Sequence, residues 1–143
     1  MRLVLAAIHK SEVDAGQLAA GKAQNARVKQ YAQEMVRMHE GPARSAPSSG
    51  GGAASGGSDL LVPLQENASK TLAALRVANG PAFDRAYVTS QVASHQAALQ
   101  TLSRLETATR DNALLAQVRS LQGEVQRHLE QARALQSALG GPT

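Results

Sequence analysis

The sequence predicts an all-α fold, a four-helix bundle with one long crossover that itself contains a short helix. Three observations predict it. Apolar residues recur at helical spacing in every stretch outside one Gly/Ser-rich segment. About one residue in five is Ala, and the only aromatics are Tyr31, Phe83 and Tyr87. That balance favours closely approaching helices over a sheet of β-branched and aromatic residues. The length of 143 residues and hydrophobic share of 43% suit one globular domain, 1–143.

The first helix is predicted from Leu3 to Lys22, with Leu5, Ile8, Glu12, Ala15 and Ala19 in one sector. Glu12 therefore faces inward, while His9 lies about 60° off the stripe and reads as a flank residue. Asn25 is the expected N-cap of a second helix from Ala26 to Glu40, with Val28, Ala32, Met35 and His39 on its stripe and Gly41-Pro42 as its stop. From Arg44 to Ser58 the composition turns to Ser, Gly, Ala and Pro without periodicity, which predicts a flexible surface loop.

Leu61, Leu64, Ala68, Leu72 and Leu75 then mark a crossover helix, read from Leu64 to Ala78 and stopped by Asn79-Gly80. Pro81 opens the third long helix, which carries Asp84, Val88, Val92, His95, Leu99 and Leu102 on one face and runs to Thr109. Asp111 caps the last helix, from Asn112 to Leu139. Its stripe is the most regular in the chain: Leu114, Val118, Leu121, Val125, His128, Ala132 and Leu135.

Two antiparallel helix pairs joined by one crossover is the topology of ferritin-like proteins. In that arrangement the polar residues of the stripes can be compared for depth. From the shared end of the bundle, Glu12 and His128 are about 11 residues away and His39 and His95 about 14, so all four fall roughly 17 to 21 Å along the axis. Val-x-x-His occurs three times, as Val36 to His39, Val92 to His95 and Val125 to His128, each time on an inward stripe. Three buried imidazoles and a carboxylate without partners would cost several kcal/mol, so Glu12, His39, His95 and His128 are the candidate site.

The chain resembles the bacterial ferritin-like family known as domain of unknown function 4142. The resemblance is carried by "SEVDAGQLAAGKAQNARVKQYAQEMVRMH" in the first helix pair, "FDRAYVTSQVASHQAAL" in the third long helix and "EVQRHLEQA" in the last. Its most specific pieces are Glu12 with Gly16, Met35-Val36 with His39, and Phe83-Asp84-x-x-Tyr87 followed by Gln91-Val92-x-x-His95. The resemblance implies a ferritin-like bundle, an exported or periplasmic bacterial protein, and no established activity. The chain departs from the family in the Gly/Ser-rich stretch and in an N-terminus with no recognisable leader, where Leu3 to Ile8 is too short for a signal peptide's apolar region.

Several functions are excluded or disfavoured by composition. There is no Cys, which removes disulfides, thiolate metal sites and Cys nucleophiles. The net charge of +4 and pI near 10.0 come from basic residues scattered singly, without the clustering or aromatic platforms that nucleic-acid binding uses. No run approaches the roughly 18 apolar residues of a membrane span. A di-iron carboxylate site needs two Glu-x-x-His pairs, and here Glu34 and Glu124 are each followed three residues later by Arg. A haem held by Met35, Met38 and His39 would need a wider cavity than an Ala-rich bundle offers, and "SSGGGAASGGS" lacks the Lys-Ser/Thr sequel of a phosphate-binding loop.

No nucleophile constellation is visible, so no catalytic residue is assigned. The leading expectation is a non-enzymatic helical binding or accessory protein that docks partner chains or copies of itself. The alternative is a mononuclear metal protein or metal-dependent enzyme: three neutral imidazoles and a carboxylate suit a single Zn, Fe, Mn, Ni or Cu ion. The bland alternative is a polar core in which the histidines hydrogen-bond Glu12, Asp84, Tyr87, Gln91 or water.

Overall fold

Asn25 does cap a helix, and the cap shows how the chain starts each long element. Its side-chain oxygen accepts from the N–H of Arg27 at 2.9 Å and of Val28 at 3.3 Å. Asp111 does the same for Ala113 at 2.9 Å and Leu114 at 3.1 Å. In the computed structural model, which describes residues 1–45 and 58–140, every element is α-helical: α1 Arg2–Lys22, α2 Ala26–Arg44, α3 Ser58–Val77, α4 Gly80–Ala108 and α5 Asn112–Ala138. The protein is all-α, and none of the described helices is long and apolar enough to cross a membrane.

Two helices are longer than their sequence signals. Pro42 does not stop α2, which continues through Gly41 to Arg44. A proline forfeits its own N–H bond, but so near a C-terminus little else is lost, and the N–H of Ser45 still bonds the Gly41 carbonyl at 3.1 Å. The crossover helix α3 starts at Ser58 rather than Leu64 and holds Pro63 within it. Asp59 in its first turn complements the partial positive charge of that helix end. The expected loop from Arg44 to Ser58 therefore has helical residues at both ends, and its interior, 46–57, lies outside the described residues. Gly80 supplies the expected left-handed conformation, with φ +59°, at the start of α4.

The chain divides into two compact units, Met1–Tyr87 and Val88–Thr143, with the division falling inside α4. In the first unit α1 and α2 are antiparallel: Gly16 faces Ala32 and Val36, and two turns earlier His9 faces His39. The approach at Gly16 is close. A Cβ there would stand 3.0 Å from both the Ala32 carbonyl oxygen and the Val36 side chain. Val4, Ala19, Val28, Ala32 and Met35 are fully buried.

The start of α4 is fastened to the α1–α2 turn. Asp84, buried, accepts from the N–H of Gln24 at 3.1 Å and of Asn25 at 2.7 Å, two donors that no helix satisfies. Beside it Phe83 stacks on Tyr87, the Tyr87 ring meets Tyr31 edge-on, and the Lys22 ammonium lies 5.2 Å from the Phe83 ring centre. Lys22 also donates to the Arg76 carbonyl at 2.7 Å, so one lysine closes the end of α3.

The second unit is an antiparallel hairpin of α4 and α5. Gln136 donates to Thr89 at one end, and Arg119 and Gln122 donate to Glu106 at the other, at 2.8 and 3.1 Å. Val88, Leu102, Leu105, Val118, Leu121, Val125, Leu129 and Ala132 are buried in it. The buried stripe of α4 is turned slightly from the expected one: Gln91 is buried, while Val92 and Leu99 are only half-buried.

The packing predicts opposite outcomes for two glycines of α1. Gly16→Val should cost about 1–3 kcal/mol, because a backbone oxygen cannot retreat from the new side chain. Gly21→Ala meets nothing within 4 Å and should stabilise by up to about 1 kcal/mol through helix propensity. Urea unfolding of both variants checks the pair. Asp84→Ala, which strands two backbone donors, should cost about 1–3 kcal/mol by the same measurement.

Candidate functional site

All four residues singled out by the sequence are buried: Glu12 is 5% exposed, His39 0%, His95 1% and His128 3%. The periodicity that placed them inward was therefore a sound guide to burial. Within the three Val-x-x-His motifs the histidine is the constant. Val125 is buried, whereas Val36 and Val92 are half-buried.

In the first unit His39 is joined to a residue that periodicity had set aside. His9 Nδ1 and His39 Nδ1 are 2.8 Å apart, with ring centres at 5.1 Å. That ring separation equals the nitrogen gap plus roughly one ring radius on each side, so one imidazole N–H points at the other's lone pair. His9 is not an idle flank residue. The close approach of α1 and α2 at Gly16 brings even a position 60° off the stripe within reach of the next helix. Burial lowers the His9 pKa below its usual value.

Glu12 lies among phenols. Burial pushes the hydroxyls of Tyr31 and Tyr87 above their ordinary range, and the negative charge of Glu12 adds to both shifts. Asp84, offered as a partner of the histidines in the polar-core alternative, serves the α1–α2 turn.

In the second unit His95 and His128 meet edge to face, with ring centres 5.7 Å apart and planes at 81°. His95 Nδ1 is 2.8 Å from the Gln91 carbonyl oxygen, so Nδ1 carries the proton and donates, and Nε2 holds the lone pair. Gln91 thus orients His95 through its backbone carbonyl. Ser94 Oγ stands at 3.5 Å from the same nitrogen. Burial, then the neighbouring His95 and Arg127, bring the His128 pKa down to about 4.

Among the described residues, no group of three or more His, Asp or Glu side chains is arranged to hold a metal ion. The sequence signal that finds the His9 contact is the pair His9 and Gly16 read together: a glycine on the stripe announces a close helix pair, and flank residues of such a pair touch.

The pKa of His128 has a stability consequence. In the unfolded chain this imidazole takes its proton near pH 6.5, and in the folded chain only near pH 4. The folded state binds fewer protons between those values, so its stability falls as pH drops through the window. From pH 7 to 5 the loss should be about 1–2 kcal/mol, at about 1.4 kcal/mol per pKa unit. Denaturant midpoints across that range should decline for the native chain and decline less for His128→Gln. A midpoint that rises on acidification would contradict a neutral His128.

Comparison with curated proteins and with solved structures gives no match. Comparison with protein families gives one that covers nearly the whole chain, from within the first turn of α1 to the last turn of α5. With residues 4–135 matched, the chain belongs to the family described as Domain of unknown function (DUF4142).

Proposed function

We propose that this chain is a non-enzymatic helical binding or accessory protein, a ferritin-like bundle in topology and extracytoplasmic in a bacterium, whose buried histidines serve its core. The observation that carries the reading is the outer face of α3. Of the described side chains of that helix only Leu75 is buried, and the stripe Val62, Glu66, Ser69, Ala73 and Val77 is exposed, with Val62 at 54% and Val77 at 78%. These positions recur at i, i+4, i+7, i+11 and i+15, so they form one ribbon with an apolar residue at each end. Such a ribbon suits a helix-against-helix contact with a partner chain or a second copy. The sequence motifs add support, because none supplies a nucleophile, a phosphate cradle or a di-iron carboxylate set.

The test is association. Sedimentation of the native protein should show an assembly with itself or with a chain co-purified from its source, and Val62→Glu with Val77→Glu should disperse it while leaving the helix content unchanged. A native protein that stays monomeric and turns over a substrate would overturn the reading.

A further inference from the structure

The exposed stripe of α3 has an inner order beyond its apolar ends. Val62, Glu66, Ser69 and Ala73 follow one another at steps of four, three and four residues, and all four are exposed. That spacing is the seam of a coiled coil, in which two kinds of seam position alternate along the helix. Helices that pair antiparallel across such a seam set one kind against the other.

The positions carry a symmetry. Glu66 and Ser69 lie equally far, on opposite sides, from the point midway between Asn67 and Ala68, and so do Val62 and Ala73. A two-fold axis through that point lays a second α3 antiparallel on the first, with Val62 against Ala73 and Glu66 against Ser69 of the other copy. Such a contact is isologous, so each pairing occurs twice. Lys70, also exposed, follows Ser69 and comes within one residue of the level of the other copy's Glu66. It also stands one turn from Glu66 on its own helix, so carboxylates and ammonium groups alternate around the axis. The same stripe inverted is therefore complementary in charge to itself. Ser69 and Ala73 are small enough to let the two helices approach.

We propose that the partner of the α3 stripe is a second copy of this chain, bound antiparallel about a two-fold axis between Asn67 and Ala68, with Glu66 facing Ser69 and Lys70 of the other copy. This rests on α3 being the docking face, as read above, and commits that face to self-association. A seam of four residues in each copy is small for a specific interface, so the dimer is weak and loosens as salt is raised.

The experiment uses the full chain, which contains no Cys, so introduced thiols report contact without background. Val62→Cys and Ala73→Cys should form a disulfide with each other when mixed under mild oxidation and not when alone, because like positions then lie about 16 Å apart along the helices. Charge gives a second readout. In sedimentation, Glu66→Lys and Lys70→Glu should each self-associate about tenfold more weakly than the native chain, and an equimolar mixture of the two should recover native association. Circular dichroism of all four variants should match the native chain, since the altered side chains are exposed. A cysteine mixture that gives no disulfide, or association indifferent to both charge variants, would overturn the proposal. Disulfides formed by each cysteine variant alone would mean a parallel pair and overturn it while leaving the docking face in place. Native protein that stays monomeric alone and assembles only with a chain co-purified from its source would do the same. Native protein that associates with nothing would overturn both.

Discussion

Desolvation of ionisable side chains is the constraint on which the rest of this structure turns. Glu12, His39, His95 and His128 are all at most 5% exposed, in a chain whose buried hydrophobic residues are mostly Ala, Leu and Val. Each buried polar group would cost several kcal/mol without compensation, so the interior must give the polar edges of its imidazoles somewhere to point. The solutions are local. His39 shares a proton with His9 on the neighbouring helix, and His95 gives its N–H to a carbonyl one turn back on its own helix.

These contacts require close helices, and the sequence supplies closeness with small residues. Gly16 lets the backbone of α2 approach where any Cβ would collide with a carbonyl oxygen. The same economy appears at the turn between α1 and α2, where Asp84 reaches across from α4 to satisfy two backbone donors. Phe83, Tyr87 and Tyr31 pack against that clasp, so all three aromatics of the chain are gathered in the first unit. Beyond residue 87 the sequence carries no aromatic ring except the imidazoles.

What the sequence made legible is what periodicity and capping chemistry control. The inward stripes of α1, α2 and α5 came from the 3.6-residue period, and the caps at Asn25 and Asp111 came from side chains that compete for orphan N–H groups. Burial of all four candidate residues followed from the same period. Two helix ends were misjudged: α2 runs through the Gly41-Pro42 stop to Arg44, and α3 begins six residues before Leu64 with Pro63 inside it. The slight rotation of the α4 stripe, which buries Gln91 in place of Val92, was not legible because polarity alone argued against it. The His9 contact was missed for a different reason. Spacing within one helix locates a stripe, but the reach of a flank residue depends on the distance to the next helix, which a single glycine sets.

Membership of DUF4142 identifies the kin of this chain without naming a reaction, so the chemistry of the buried histidines has to be argued from their own surroundings. The central claim is that His128 stays neutral well below neutral pH and that His95 is fixed by the bond from its Nδ1–H to Gln91. Nitrogen-15 spectra of the four imidazoles test it most directly. The account predicts His95 as the Nδ1–H tautomer and His128 neutral down to about pH 4, with sharp and distinct nitrogen shifts for each. Imidazolium shifts for His128 at pH 7, or the averaged shifts of freely exchanging tautomers for His95, would contradict it.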